Sequence, residues 1–248
     1  PSSLWERRDV IVEPKADSIV GKEAEALKAY GAKSVVIRDA DWDAAGLKHH
    51  SLVHGDSVYM RETIPAESAG MIAPHEGTHL MKRKKYAPYL DFIERTPETL
   101  NMGSKRAQEL MAAAAKHRDM DFFDLPTDDA KREKALITIY DELNAMVYGH
   151  IAANKLIGLK EQLHEAFKDF DAYAAELTAI HEQYIDSLKP KADTTTLHEE
   201  VTEQVERTST VQPKGQNFVI GDSLDLPKGE KARYKANVEA IRIVKQLE

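Results

Sequence analysis

The 248-residue chain contains no cysteine. This absence excludes disulfide bonds and thiolate-bound zinc, so any metal ion must be held by His, Asp or Glu side chains. Long apolar runs are also missing, since none approaches the roughly 20 residues that a membrane-spanning helix requires. We therefore expect a protein without a membrane partner.

Basic residues are fewer than acidic ones, 34 Lys and Arg against 42 Asp and Glu, which gives a formal charge of −8. This balance argues against nucleic-acid binding as the main role of the chain. The densest basic run extends from Lys82 to Lys85. We interpret it as a solvated helix end, where cations complement the helix dipole.

The N-terminal part of the sequence predicts a helix followed by a small sheet. Residues 18–30 carry apolar side chains at helical spacing, and Gly31 is placed to end that helix. Residues 34–39 are short, apolar and β-branched, as is typical of a strand. A His-Gly-Asp-Ser turn separates two further predicted strands, 51–53 and 57–61.

The rest of the chain up to Pro190 has an almost entirely helical pattern. Thr96 and Pro97 indicate an N-cap and first position of one helix. The expected helices are 86–94, 96–117, 126–158 and a single long helix at 159–188. We therefore predict an α+β fold that is predominantly helical, with a small sheet whose edge strand packs on the helix that contains His75.

Composition divides the chain into three parts. We predict one domain over residues 1–189, with its core at about 18–155. Residues 190–216 are polar and rich in Thr, Glu and Lys, which indicates a linker. Residues 217–248 form a short segment with a strand-like start, a Gly/Pro loop and a terminal helix.

The sequence His75-Glu76-Gly77-Thr78-His79 matches the pattern HExxH. Two histidines four residues apart on a helix can point at one metal ion, since they differ by about 40° around the axis. Glu76 lies about 100° further round, where it can accept a proton from a water without binding the metal. The alternative is a pair of ordinary histidines on a partly exposed helix.

Pro74 and Gly77 are unusual for such a helix. Proline clashes with the carbonyl four residues earlier when it lies inside a helix. We therefore expect the helix to begin at Pro74 or to be kinked there, with Gly70 easing the strain. Gly77 costs about 1 kcal/mol relative to alanine, which suggests a close approach, such as that of the helix carrying Glu142.

The order of elements around the motif resembles that of compact zincins, the minimal zinc metallopeptidases of the gluzincin type. In that family a strand before the motif lines the cleft and pairs with the substrate backbone. The resemblance implies that this edge strand is Ser57, Val58, Tyr59, Met60 and Arg61. The residues that follow His79 do not continue the metzincin pattern, so that family is excluded.

The same resemblance implies a third ligand, a glutamate from a later helix. Glu142 is followed by Ala145, a small residue that would let two helices approach. Asp141 is the runner-up, either as ligand or as a partner that orients a histidine. Glu133 and His150 are further alternatives, and an exposed helix carboxylate is the plain interpretation of Glu142.

Other polar residues are candidates for supporting roles. Tyr148 or His150 could stabilise the oxyanion of a tetrahedral intermediate, although each could equally be an ordinary helix residue. His49, His50 and His54 cluster before the last strand. We interpret these three histidines as loop residues, with the rim of a cleft as the alternative.

Residues 217–248 carry a second resemblance. The Asn-Phe-x-Ile opening and the run from Lys231 to Ile241 resemble a segment of the large polyvalent proteins of phages and integrative conjugative elements. The resemblance implies that the chain is one module of a longer bacterial protein, located in the cytoplasm. Because the chain begins at Pro1 without a methionine, secretion also stays open.

The first hypothesis is a zinc metalloendopeptidase, in which Zn²⁺ is bound by His75, His79 and Glu142 and Glu76 is the general base. Its partner would be a peptide or protein substrate. The second hypothesis is a zincin-like interaction module without turnover, within a larger mobile-element protein. A third, a nucleic-acid-associated accessory domain, rests on residues 217–248 and is opposed by the acidic charge.

Overall fold

A three-stranded sheet is built from β1 (Lys33–Ile37), β2 (Ser51–His54) and β3 (Ser57–Arg61) in the computed structural model, which describes residues 4–190. The strand order is β1-β3-β2. The two-residue turn after His54 makes β2 and β3 an antiparallel hairpin, as the sequence predicted. The β1 strand joins β3 in parallel.

This order corrects the prediction about the edge strand. Ser57–Arg61 lies at the centre of the sheet, because β1 pairs with the side of β3 that the hairpin leaves free. The outer side of β1 is covered: the Val12 N–H donates to the Val36 carbonyl at 2.9 Å, and the Arg38 N–H to that of Val10 at 3.1 Å. The open edge is therefore β2.

Eight α-helices account for most of residues 4–190, so the predicted predominantly helical α+β class is confirmed. Two short 3₁₀ helices, Leu4–Glu6 and Ala66–Ser68, accompany them. The α-helices are α1 (Ile19–Lys28), α2 (Asp39–Ala44), α3 (Ile72–Arg83), α4 (Ala87–Thr99), α5 (Lys105–His117), α6 (Asp129–Ala152), α7 (Lys160–Ala166) and α8 (Phe170–Leu188).

Polar caps explain where several of these helices begin. The Ser18 and Ser104 side chains each accept a backbone N–H three residues later, at 3.1 Å. Asp128 and Asp169 do the same at 3.0 Å for α6 and α8. Each cap satisfies a backbone donor that the first helical turn leaves unpaired.

The expected single helix at 159–188 is wrong, because the structure has two helices there. Between them the chain pairs with the end of α4: the Lys168 N–H donates to the Thr99 carbonyl and the Asn101 N–H to the Ala166 carbonyl, both at 2.8 Å. Phe167 is buried in this connection. These long-range bonds replace helical bonds, and Asp169 then starts α8.

Thr96 also differs from the expectation that it begins a helix. The α4 helix continues through Thr96 and Pro97 to Thr99. The Thr96 side chain is fully buried, and its hydroxyl donates to the Phe92 carbonyl at 2.9 Å. Asn144 donates to the same hydroxyl at 3.0 Å, so contact with α6 holds this residue inside the helix.

The two faces of the sheet pack against different cores. Val36, Val58 and Met60 face the main core, which the helices enclose. Tyr59, on the opposite face, packs against a small cluster built on Trp42. This alternation along the strands follows from the period-two geometry of a strand.

The described residues belong to a unit that ends at Pro190. Within them, every helix is too short or too polar to cross a bilayer. The predicted linker at 190–216 and the predicted segment at 217–248 lie outside the described residues, except for Pro190.

Candidate metal centre

Helices α3 and α6 bring His75, His79 and Glu142 together. The Nε2 atoms of the two histidines are 3.2 Å apart. The Glu142 carboxylate lies 3.5 Å from Nε2 of His75 and 3.3 Å from Nε2 of His79. One donor atom from each residue lies within 4.8 Å of the others, so the group is close enough to hold a metal ion.

Asp141 lies beside this group rather than in it. Its carboxylate is 2.9 Å from Nδ1 of His79, and it also accepts from the Tyr89 hydroxyl at 3.0 Å and Lys82 Nζ at 3.2 Å. A proton on Nδ1 of His79 leaves its Nε2 free to bind a metal. The other alternative ligand, Glu133, is exposed and does not line the cleft.

A side chain of helix α1 forms hydrogen bonds with the backbone at the start of α3. The helix begins at Ile72, two residues before Pro74, so the proline lies in the first turn, where no helical N–H bond is needed. The buried Glu23 of α1 accepts the N–H groups of Gly70 and Ala73, the latter at 2.8 Å. The expectation that the helix begins at Pro74 is therefore wrong by two residues, and a distant carboxylate, that of Glu23, caps the helix.

Gly77 makes room for Tyr30 rather than for α6. A Cβ atom at Gly77 would overlap the Tyr30 ring. The close approach to α6 occurs instead at Gly149, where a Cβ would lie 3.2 Å from the Met71 carbonyl oxygen and 3.8 Å from Cβ of His75. Gly149 of α6, rather than Gly77, therefore allows α3 and α6 to approach each other closely.

On its core side, helix α3 contacts a different histidine, His181 of helix α8. Thr78 donates its hydroxyl hydrogen to the Pro74 carbonyl at 2.9 Å, so its oxygen accepts from Nε2 of His181 at 3.1 Å. Nδ1 of His181 then accepts from the Tyr30 hydroxyl at 2.9 Å. Burial lowers the pKa of His181 to about 3, so the ring is neutral.

Tyr148 belongs to this buried region. Its ring stacks on His181 with centroids 3.5 Å apart, and only 7% of the residue is exposed. Burial raises its pKa to about 12. Because Tyr148 is absent from the cleft wall in the described part of the chain, it is not placed to stabilise an oxyanion there.

The donor group opens into a cleft of about 810 Å³. Glu76 lies in its wall and accepts a hydrogen bond from the Ser51 hydroxyl at 2.5 Å. His150, His49 and His50 also line the cleft. His54, by contrast, stacks on Trp5 with centroids 5.0 Å apart, so one of the three clustered histidines lies away from the wall.

His117 and Arg118, at the end of α5, are site residues that the sequence did not reveal. Nδ1 of His117 is 3.4 Å from Oε1 of Glu142, and Nη1 of Arg118 is 3.7 Å from Oε2. His117 also stacks on His49 at 4.9 Å. Basic residues are common at helix ends, so no local signal distinguished these two.

Burial and the surrounding charges shift the pKa values of the three donor residues. Burial would raise the pKa of Glu142, but hydrogen bonds from His117 and His79 hold it well below its usual range. Burial lowers the pKa of His75. For His79 the opposing effect of Asp141 and Glu142 outweighs burial and raises its pKa to about 10.

Two imidazole nitrogens and a carboxylate are donors that Zn²⁺ accepts in proteins. In the part of the chain that the structure describes, this is the one group of three or more such donors close enough to share an ion. Comparison with known proteins finds no matching family model, no matching curated protein and no matching solved structure. The chemistry of the site is therefore the main indication of function.

Proposed function

We propose that the chain is a zinc-dependent metallopeptidase of the zincin type. The observation that carries the proposal is the convergence of three donors, from His75, His79 and Glu142, in an open cleft that also contains Glu76. These three donors would hold a zinc ion and would leave room for water or substrate beside it, as in catalytic zinc sites. A fully protein-bound site would instead favour a structural role.

The residues present fit a zinc ion. The contact between Asp141 and Nδ1 of His79 at 2.9 Å orients the ring so that Nε2 faces the other two donors. When bound, zinc supplies Lewis-acid chemistry that makes water nucleophilic near neutral pH and polarises a peptide carbonyl.

Glu76 is the proposed general base. It follows His75 directly on α3, and its carboxylate faces the cleft instead of joining the three donors. From there it can take a proton from the attacking water and deliver it to the leaving amine. The Ser51 hydroxyl, which donates to Oε1 of Glu76, holds the carboxylate in position.

His117 and Arg118 are the proposed stabilisers of the oxyanion. Both lie in the cleft wall and within 4 Å of the Glu142 carboxylate, at 3.4 and 3.7 Å. N–H donors at this position can stabilise negative charge that develops on a peptide carbonyl oxygen. They replace Tyr148 in this role, while His150 stays a candidate because it lines the same cleft.

The substrate backbone is proposed to pair with β2. The Arg61 N–H donates to the His50 carbonyl at 3.0 Å, which sets the hydrogen-bonding alternation along the hairpin. By that alternation Ser51 and Val53 direct their backbone N–H and C=O groups to the open edge, and both residues line the cleft. A peptide could add there as a further strand.

One observation favours the second candidate, a zincin-like interaction module without turnover. Only 2% of Glu76 is exposed, and its carboxylate is already bonded to Ser51. A base held in this way would have to exchange the Ser51 hydroxyl for water during catalysis. In this candidate the same cleft binds a peptide segment but does not cut it, within a longer mobile-element protein.

The deciding experiment compares the zinc-loaded protein with Glu76→Gln on an unbiased peptide library. We expect one zinc per chain in both proteins and cleavage that is about 10²- to 10⁴-fold slower in the variant. Mass spectrometry of the products and metal analysis supply the two readouts. Zinc binding without any cleavage by the unmodified protein would favour the interaction module.

A further inference from the structure

The cleft wall carries a surplus of positive charge, although the chain as a whole is acidic, with a formal charge of −8. Four cationic side chains line the cleft: Lys48, Lys82, Arg83 and Arg118. The acidic residues in the same wall are Glu76, Asp141 and Glu142. Because most carboxylates of the chain lie outside the cleft, the charge of the cleft wall differs in sign from the net charge of the chain.

All three carboxylates of the cleft are already engaged. Glu76 accepts from Ser51 at 2.5 Å. Asp141 holds His79 at 2.9 Å and also contacts Lys82 and Tyr89. Glu142 lies within 4 Å of both histidines of α3 and of Arg118. None of these carboxylates is directed to attract a cationic substrate.

Two of the four cations, Lys48 and Arg83, retain capacity for a ligand. Lys82 and Arg118 already lie 3.2 and 3.7 Å from the carboxylates of Asp141 and Glu142. Arg83 forms no ion pair with a described residue; its charge acts on the exposed carboxylate of Asp56, which Lys84 already holds at 2.6 Å. Lys48 Nζ is 3.4 Å from Asp119, but both side chains are more than three-quarters exposed, 76% and 79%, so this pair is weak and solvent can replace it. A bound divalent cation would add further positive charge to the same cleft.

The cations lie at two places on the wall. Lys82 and Arg83 occupy the C-terminal end of α3. Lys48 precedes β2, and Arg118 follows α5; the stacking of His49 on His117, at 4.9 Å, brings these two segments together. A peptide extended along β2 would therefore meet positive charge from more than one direction.

Building on the proposed function, we propose that this cleft selects acidic peptide segments. Asp and Glu side chains near the bond at the metal centre would pair with Lys48 and Arg83, whereas Lys and Arg side chains would be repelled. The selectivity is electrostatic, so it weakens as ionic strength rises above about 0.1 M.

The test measures binding separately from cleavage. The zinc-loaded Glu76→Gln variant of the 248-residue chain is titrated into two fluorescent peptides of equal length, one with Glu and one with Lys on both sides of the same neutral centre. We expect the acidic peptide to bind about tenfold more tightly at low salt, as a few partly exposed ion pairs would give. Fluorescence anisotropy is the readout.

Charge-reversed variants in the same background locate the effect. Lys48→Glu with Arg83→Glu should abolish the preference or invert it. Lys22→Glu with Lys85→Glu is the matched control, because it changes the total charge equally at exposed residues outside the cleft wall. The control should keep the tenfold preference.

Each outcome bears on one claim. Equal binding of the two peptides, binding of neither, or an equal loss of preference in both double variants would overturn the proposed selectivity. Cleavage by the unmodified protein is measured separately on the same peptides. If the acidic peptide binds preferentially but no peptide is ever cut, the selectivity stands and the peptidase assignment fails.

Discussion

The two sides of helix α3 place histidines in opposite environments. On the cleft side, His75 and His79 meet the carboxylates of Glu142 and Asp141. On the core side, Thr78 meets His181, whose other partner is the Tyr30 hydroxyl. Both groups are largely buried, but only the first contains negative charge.

The difference shows that the neighbouring groups, rather than burial itself, determine the direction in which the pKa of a buried histidine shifts. Carboxylates raise the pKa of His79 to about 10 against the effect of burial. Without a carboxylate, burial lowers the pKa of His181 to about 3. The negative charge that favours a protonated ring at His79 also favours a bound metal ion. The surroundings of His181 lack this charge and favour a neutral ring.

The largest expected effect is a loss of zinc affinity when a histidine on the cleft side of α3 is replaced, compared with little change when the histidine on its core side is replaced. His75→Ala removes one of the three donors. Structural zinc sites bind the ion with roughly 10–16 kcal/mol, so the loss of one donor's share of this energy should weaken zinc binding about a thousandfold. A competition titration with a chromophoric chelator measures it. The matched variant His181→Gln, on the core side, should change affinity less than about threefold, and a comparable loss there would remove the distinction.

The next effect concerns acid stability. Below its ordinary pKa of 6.5, His181 binds a proton in the unfolded chain, whereas in the folded chain it binds one only near pH 3. Its contribution to stability is therefore lost as pH falls, by about 3 kcal/mol between pH 6.5 and 4.

Urea unfolding of the metal-free protein at pH 7 and pH 4 tests this expectation. His181→Gln should lose about 3 kcal/mol less than the unmodified protein over that interval. Groups common to both proteins cancel in the difference. Parallel losses in the two proteins would mean that His181 is not held neutral.

A smaller effect tests the packing of the core side. Gly77→Ala forces a methyl group into the Tyr30 ring, and overpacking of this kind costs about 2 kcal/mol. The cost should shrink in a Tyr30→Ala background, where the space is free. Denaturant unfolding of the four proteins in this cycle measures the coupling, and additive losses would contradict the contact.

The smallest effect concerns the partner of His79. Asp141→Asn keeps an oxygen that can accept from Nδ1 of His79 but removes the negative charge. We expect zinc affinity to fall about tenfold, the lower end of what such partners contribute. The chelator titration used for His75→Ala applies here, and unchanged affinity would show that Asp141 does not support the cleft-side histidine.

Local patterns predicted the parts of the site that lie within single elements. The spacing of His75, Glu76 and His79 follows from helical geometry alone, whereas Glu142 was a candidate through the resemblance, in which Ala145 follows it three residues later. The β2–β3 hairpin was equally predictable from its turn. In each case the informative residues are close in sequence.

What the sequence could not predict depends on contacts between distant segments. Nothing near Glu23 indicates that it caps α3, about 50 residues later. His117 reaches the site only because α5 packs on α6. The position of β1 beside β3 likewise depends on long-range pairing, which placed Ser57–Arg61 at the centre of the sheet instead of its edge.

A zinc ion held by three protein donors with one open position is the basis of the proposed function, and a crystal structure of the zinc-loaded protein tests it most directly. We predict zinc about 2.0–2.1 Å from Nε2 of His75 and of His79, and about 2.0–2.2 Å from a Glu142 oxygen, with water in the fourth position. Zinc closed by His117 as a fourth protein ligand, or bound away from Glu142, would contradict the claim.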